Sequence, residues 1–557
     1  MNKRNEIAEL IFPHITGTVQ ELEIKYPKRP LSDDAIVTRF APSPTGFLHT
    51  GSLFTSLVSW RFAKQTNGVF FLRLEDTDQK REIKGSGDRL IEQLLIFGIT
   101  PDESFLHEGN YGPYIQSQRR LIYHTVIKEM LIKGLAYPCF CTHDELNEIR
   151  KEQEAKKVLP GYYHEYAKCR YLTDEEVIVK LKNKEDYVIR FKSLGKLDEK
   201  VVLEDAIRGN IEFPKNIQDI VIMKSDGLPT YHFAHVVDDH FMRTTHVTRG
   251  EEWVPSAPIH LEIFEQLNWQ KPVFCHFPVI MKLDEDKRRK LSKRKDAEAS
   301  VDYFLEKGYP IEGFLEYLMT LANSNFEEWR LANPKSDIFD FNLDFSKMSL
   351  DGALFDLEKV KSISKEVLGN MTKDDFTNKA LMYASEYDLE LKNIIEEDLE
   401  YFKSIINIER EQEKPRKDYE KFSDILPIIN FMYDKYYYDL SNQVIFNERF
   451  KKDFIIELLK EYRDNFDLNL DQENWFNGMK ELALNKGFAQ RAKQYSKEPD
   501  KFVGHIGEYA EILRLATCAK TSTPNFYDVL RILGKEKVIE RINHTITLLK
   551  TKQLKKK

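Results

Sequence analysis

Two segments far apart in the chain hold the residue types that handle phosphate. Residues 39–52 read Arg-Phe-Ala-Pro-Ser-Pro-Thr-Gly-Phe-Leu-His-Thr-Gly-Ser, and residues 290–294 read Lys-Leu-Ser-Lys-Arg. Pro42 and Pro44 stiffen a loop that opens onto a helix start, and such a start presents backbone N–H groups to an anion. Gly46 and Gly51 let that backbone approach closely, and Gly51, lacking Cβ, leaves room for a flat group to lie on it. His49 stands where it can donate to phosphate oxygens. The second segment adds positive charge for a departing anion, with Lys293 as the main contact and Lys290 as a second. Cations aimed at charge that develops in a transition state are commonly worth about 3 to 4 kcal/mol each. Taken alone, a His-x-Gly or a basic run reads as an ordinary surface feature; the unbroken order of both segments is what argues for a site.

The elements that must position these residues can be read from periodicity. A strand is expected at Ile36 to Phe40, then a helix capped by Ser52 with Leu53, Leu57, Trp60 and Phe62 near one face. Asn67-Gly68 reads as its left-handed stop, a second strand follows at Val69 to Leu74, and Leu90, Ile91, Leu94 and Leu95 mark another helix. Strand, helix, strand, helix predicts an α/β fold with a parallel sheet of Rossmann type. Cys139-Phe-Cys141, a Glu/Lys-rich stretch and Tyr162 to Cys169 then interrupt the pattern as an insertion, with short strands near Tyr187 to Lys192 and Asp219 to Met223 and a turn at Ser225-Asp-Gly227. Beyond about residue 345 long Leu/Ile/Lys/Glu patterns with few glycines predict a helical region.

Composition sets outer bounds. The chain has 557 residues, 31% charged and 41% hydrophobic, with no apolar run near the roughly 18 residues of a membrane span. The start Met1-Asn-Lys-Arg-Asn-Glu has no apolar core of a secretory signal, and five cysteines do not make a disulfide framework, so a reducing cytoplasm is expected. The net charge of −8 does not exclude a polyanion partner, because Lys287 to Lys295 is basic apart from Leu291 and Ser292 and the end, Lys550 to Lys557, is basic too. The basic end equally suits a solvated, frayed terminus.

The first segment resembles the HIGH-type motif, and the second the KMSKS-type motif, of class I aminoacyl-tRNA synthetases. Ala41-Pro-Ser-Pro-Thr-Gly46 and Arg73-Leu-Glu-Asp-Thr-Asp78 resemble the wording of the glutamyl-tRNA synthetases. Residues 1–35, outside the resemblance, read as an amphipathic N-terminal leader ending in Pro27-Lys-Arg-Pro30; the resemblance implies a Rossmann catalytic domain in two halves at 36–115 and 223–263, and an inserted acceptor-stem-binding domain at 116–222. It further implies a stem-contact domain carrying the KMSKS-type loop at 264–345 and an all-α anticodon-binding region at 346–557. It implies ATP-dependent attachment of L-glutamate to tRNA(Glu), with tRNA(Gln) as an open second acceptor, Mg²⁺ with the ATP, and a monomer. His49, Gly51, Lys290 and Lys293 would be catalytic, and with Ser52 and Ser292 would bind ATP. Arg39, Ala41, Ser43, Glu75, Tyr231, Arg249 and Trp253 would line the glutamate pocket. Arginine suits this task because it meets a carboxylate through two parallel hydrogen bonds. Arg39 and Glu75 equally suit a mutual ion pair at the strand ends, and Tyr231 and Trp253 equally suit a core.

Cys139, Cys141 and Cys169 could supply three of the four tetrahedral ligands of a structural zinc, the fourth being open among His164, Tyr163 and His143; relatives use a His where this chain has Tyr171. The same cysteines also suit simple burial, as expected of Cys275 and Cys518. The chain departs from the family pattern at His235, where Asn is common, and at Lys295 and Asp296, where His-Gly is commoner. Two other functions fit the same catalytic half. One is glutamylation of an anticodon base, disfavoured by the long region after 345; the other is a non-catalytic RNA-binding paralogue, disfavoured by intact His49, Gly51 and Lys293.

Overall fold

The computed structural model describes residues 3–44, 46–78, 83–285, 287–292 and 294–551. Its contacts divide the chain into two units, Met1–Tyr303 with Leu315–Asp356, and Phe304–Phe314 with Leu357–Lys557.

The first unit begins with α1 (Lys3–Ile11), α2 (Val19–Lys25), β1 (Val37–Phe40), α3 (Thr50–Gln65), β2 (Val69–Leu72) and α4 (Ser86–Ile96). The interruption holds α5 (Arg120–Lys133), β3 (Ala136–Cys139), α6 (His143–Lys156), α7 (Asp174–Lys182), β4 (Val188–Phe191), β5 (Lys200–Asp205), β6 (Gly209–Pro214) and β7 (Val221–Met223). The sheet resumes with α8 (Tyr231–Phe241), β8 (His246–Gly250), α9 (Ala257–Gln266), β9 (Val273–Phe277) and the hairpin β10 (Met281–Asp284) and β11 (Lys287–Lys290).

β1 and β2 pair in parallel, Val37 facing Val69 and Phe40 facing Leu72. β8 and β9 are parallel, β9 meets β5 in parallel at Phe274 and Asp205, and β6 runs antiparallel to β5. The Thr245 N–H donates to the Val37 carbonyl at 3.0 Å and the Val37 N–H to Thr245 Oγ1 at 2.8 Å, which sets β8 beside β1. The order β2-β1-β8-β9-β5-β6 thus carries a parallel centre, with β1 and most of β2 buried as befits strands covered on both faces. Within the insertion, β3, β4 and β7 form a separate antiparallel sheet, whereas β5 and β6 extend the main one through β9. The leader is not loose: Ile7, Ala8, Ile11 and Phe12 join the core that holds Val126, Ile127 and Phe241.

One helix-end expectation is corrected and the other is borne out. α3 starts at Thr50, so its cap is His49 and not Ser52. At its other end Asn67 takes the left-handed backbone (φ 52°), while Gly68 is required for close approach, since a Cβ there would lie 1.9 Å from the Ile36 carbonyl oxygen.

The second unit is helical from Leu357–Asn370 to Lys535–Thr551, apart from two-residue strands at Phe488–Ala489 and Gly504–His505. Its core joins Phe402, Leu459, Trp475, Leu513 and Ile542.

Candidate active site

The chain just beyond the second segment packs against the first. His49 Nδ1 accepts the Gly51 N–H at 2.9 Å, so the ring proton sits on Nε2, and the imidazole is fixed at the N-terminus of α3. The chain that leaves the second segment runs against the first: Thr50 Oγ1 donates to the Glu298 carbonyl at 2.7 Å, His49 bridges Ser300, and the Val301 N–H donates to the Leu48 carbonyl at 3.4 Å. Lys290 ends β11, is largely exposed and pairs with Glu252 at 2.9 Å. Lys293 lies outside the described residues.

Asp296, read from sequence only as a departure at the loop exit, anchors that loop. It receives a bidentate pair from Arg289 at 2.6 and 2.8 Å, the Ser292 N–H at 2.9 Å and Lys282 at 3.3 Å. The Arg289 bonds hold its carboxyl well below the usual range, against the opposing effect of burial. Ser292 is therefore held by its backbone, and Ser52 is half-buried in the first turn of α3.

A second cluster lies at the carboxyl ends of β1, β2 and β8, where open α/β sheets take ligands. The loop leaving β1 carries Ala41 and Ser43 toward it, because the Glu75 N–H donates to the Pro42 carbonyl at 2.9 Å. Arg39 and Glu75 do not pair with each other as their closest partners. Arg39 Nε donates to Asp239 at 3.2 Å and its Nη1 to the Thr248 carbonyl at 3.1 Å. Glu75 accepts from Arg73 at 3.1 Å, and Arg73 also meets Asp239 at 2.9 Å and Asp238 at 3.5 Å. Burial opposes the charge on Arg73, but Asp239, Asp238 and Glu75 outweigh it and raise its pKa. Burial pushes the Glu75 carboxyl up, and the nearby Arg73 and Arg39 pull against it.

Tyr231, His235 and Asp239 stand four residues apart on α8 and share one face. The Tyr231 ring stacks on His235 with centroids 5.8 Å apart and meets Trp253 at 4.4 Å. Burial pushes the Tyr231 phenol up to about 12, and the charges of Arg249, Glu75, Arg39 and Asp239 all act on it. Arg249 is 5% exposed and donates to His276 Nε2 at 2.9 Å and toward His235 Nε2 at 3.2 Å. The structure thus gathers Arg39, Glu75, Tyr231, Arg249 and Trp253 in one cluster. Sequence reasoning missed Arg73, Asp238, Asp239, Asp205 and His276, although Asp239 carried a signal: it lies one helical turn beyond His235.

Cys139, Cys141 and Cys169 form a group whose Sγ atoms all lie within 4.8 Å of one another. The polar group beside them is the hydroxyl of Tyr162, 3.2 Å from Cys141 Sγ and 3.4 Å from Cys139 Sγ. This differs from the expected choice among His164, Tyr163 and His143: Tyr163 donates instead to the Leu159 carbonyl at 2.5 Å. Three thiols and a phenol converge there, with the buried Arg190 guanidinium on the Tyr162 ring at 4.0 Å; the thiols are the donor set of a tetrahedral metal. Cys275 and Cys518 are fully buried in apolar surroundings.

With this geometry in hand, the comparisons with known proteins are informative. The model of the class I tRNA synthetase (E and Q) catalytic domain matches residues 35–362, and that of an anticodon binding domain matches 396–546. A glutamate-tRNA ligase of Acetivibrio thermocellus is 46% identical over 97% of this chain and 99% of its own length, and one of Clostridium perfringens strain 13 is 44% identical over 96% and 99%. A crystal structure of a glutamate tRNA ligase from Elizabethkingia meningosepticum in complex with its amino acid superposes with a TM-score of 0.74 at 31% identity, covering 92% of this chain and 99% of that one. The fold is that of a class I tRNA synthetase. Within that class, the chain belongs to the glutamate-tRNA ligase family. No helix among the described residues is long and apolar enough to cross a membrane.

Proposed function

We infer that this chain ligates L-glutamate to the 3′ end of tRNA(Glu) through a glutamyl-adenylate, consuming ATP and releasing AMP and pyrophosphate. The observation that carries the reading is the seam in which Thr50 meets the Glu298 carbonyl and His49 bridges Ser300, packing the chain just beyond the second phosphate-handling segment against the first. The substrate α-carboxylate attacks the α-phosphorus in line, and no side chain needs to act as nucleophile. His49 Nε2–H, the N-terminus of α3 and the Gly51 backbone hold the triphosphate, with Ser52 and Ser292 beside it. Lys293 and Lys290 steady the departing pyrophosphate; Lys290 must exchange its partner Glu252 for phosphate to do so. Mg²⁺, when bound with ATP, offsets the triphosphate charge. The 2′-hydroxyl of the terminal adenosine then attacks the activated carbonyl.

Arg39, Ala41, Ser43, Glu75, Tyr231, Arg249 and Trp253 line the glutamate pocket, Glu75 taking the ammonium and the arginines the carboxylates. The support is their convergence at one sheet edge with uncancelled positive charge at Arg249. The insertion 116–222 holds the acceptor end, and the helical region reads the anticodon. A structural zinc is held by Cys139, Cys141, Cys169 and the Tyr162 oxygen, fixing the strand end of β3 against the turn at Cys169. The family expectation is a cytoplasmic monomer. Charging of tRNA(Glu) and tRNA(Gln) transcripts with labelled glutamate tests this reading: charging of the first is expected, and the second lane decides whether tRNA(Gln) is also an acceptor.

A further inference from the structure

Arg249 is a buried cation that meets, among the described residues, no carboxylate within ion-pair distance. Its neighbours are imidazoles, with the Tyr231 phenol and the Phe274 ring beside them. His276 Nε2 accepts from Arg249 Nε at 2.9 Å, His235 Nε2 lies 3.2 Å from Nη1, and His260 Nδ1 lies 3.4 Å from both Nη1 and Nη2. Each of the two nearer rings has an aspartate behind it. His276 Nδ1 is 2.6 Å from Asp205 Oδ2, and His235 Nδ1 is 3.0 Å from Asp239 Oδ2.

A carboxylate behind Nδ1 takes the ring proton there and leaves a lone pair on Nε2, the atom that faces Arg249. For His235 the 3.0 Å contact with Asp239 prevails over the 3.4 Å contact with Arg39 Nη2, which offers no acceptor. Asp205 is itself fixed, since the Ile207 and Arg208 N–H groups donate to it at 3.0 Å each, and Asp239 is fixed by Arg39 and Arg73. His235, His260 and His276 are all fully buried, and burial lowers the pKa of each, so the rings stay neutral and add no like charge.

An arginine held by neutral acceptors is oriented without being neutralised. An aspartate in direct contact, as Asp239 is with Arg39, offsets part of a guanidinium's field for an incoming anion, and Arg249 has no such contact among the described residues; a buried lone charge is otherwise costly unless a ligand completes it. We propose that Asp205–His276 and Asp239–His235 are paired positioning devices that aim the guanidinium of Arg249 and preserve its full charge for the substrate carboxylate. This rests on the reading of Arg249 as a carboxylate-binding residue given above.

The test is steady-state charging by the full chain with His276→Leu, Asp205→Asn and His276→Gln, each checked for its melting temperature. His276→Leu removes the acceptor, Asp205→Asn removes the anion that fixes the tautomer, and the Gln amide oxygen can still accept from Arg249 Nε. The KM for glutamate should rise about 10-fold or more in the first two and stay within about 3-fold in the third, with the KM for ATP within about 2-fold throughout. A purely structural role would lower kcat or the melting temperature without that split. Unchanged glutamate KM in Asp205→Asn, or a His276→Gln variant as impaired as His276→Leu, overturns the proposal. If His276→Leu does not fold, the comparison of Asp205→Asn with His276→Gln decides it. A wild-type chain that fails to charge tRNA with glutamate overturns the reading of the function instead, and this inference with it.

Discussion

The hydroxyl of Thr50 donates to the carbonyl of Glu298 at 2.7 Å, across 248 residues of chain. The donor lies in the first turn of α3, one residue after His49, and the acceptor lies just beyond the Lys290 to Arg294 loop. This side-chain hydrogen bond, beside the His49–Ser300 bridge and the Val301 N–H bond to the Leu48 carbonyl, joins the surroundings of the two segments proposed to hold the nucleotide.

Removing it should loosen the site without unfolding it. Thr50→Val keeps the shape of the side chain and loses the donor. The expected result is a rise of about 3- to 10-fold in the KM for ATP with little change for glutamate, corresponding to roughly 1 kcal/mol, while Thr50→Ser stays near wild type. Charging kinetics at varied ATP would reveal this, and equal effects on both substrates would speak against it.

Asp239 is the shared partner of Arg39, Arg73 and His235. Asp239→Ala would leave two buried guanidinium groups without their common anion, and breaking such a pair typically costs about 3 to 5 kcal/mol. Urea denaturation should show a large fall in midpoint. A variant as stable as the wild type would mean that the cluster relaxes to water.

The cysteine group should behave as a metal site. Purified chain is expected to carry about one zinc per molecule by elemental analysis, lost in Cys141→Ser and weakened in Tyr162→Phe, with a lowered melting temperature after chelation. A metal-free chain with unaltered melting in the presence of chelator would argue for buried thiols alone.

Stability should depend on acid in a stated direction. Burial pushes His235 down to about 3, and His240 and His246 down to about 4, from an ordinary 6.5. The unfolded chain then binds more protons than the folded chain in this window, so stability is full above pH 6.5 and is lost as pH falls toward 4. Urea midpoints measured from pH 7.5 to 4.5 should decline, and a flat profile would contradict the burial argument.

Much of this architecture was legible before the structure. Alternation from strand to helix, with Leu53, Leu57 and Phe62 on one side, predicted the parallel sheet, and the order of types around His49 and Lys290 marked two segments whose surroundings the fold brings together. What escaped was long-range pairing. Nothing local marks Asp205 as the partner of His276 or Thr50 as the partner of a backbone carbonyl, because those contacts exist only once the sheet has formed. Gly68 illustrates the same limit. The Asn67-Gly68 pair read as a left-handed stop and Asn67 supplies it, but that Gly68 must also clear the Ile36 carbonyl has no local mark. Tyr162 escaped because a phenol is an uncommon neighbour for thiols and histidines drew attention first.

The most direct measurement is charging of a tRNA(Glu) transcript with labelled glutamate and ATP by the wild type and Lys293→Ala, followed by ribonuclease A digestion to locate the label. The account predicts label released on the terminal adenosine, dependent on ATP, and a loss of about a hundred-fold or more in rate for Lys293→Ala. Label on an internal nucleotide, or no charging by the wild-type chain, would contradict it.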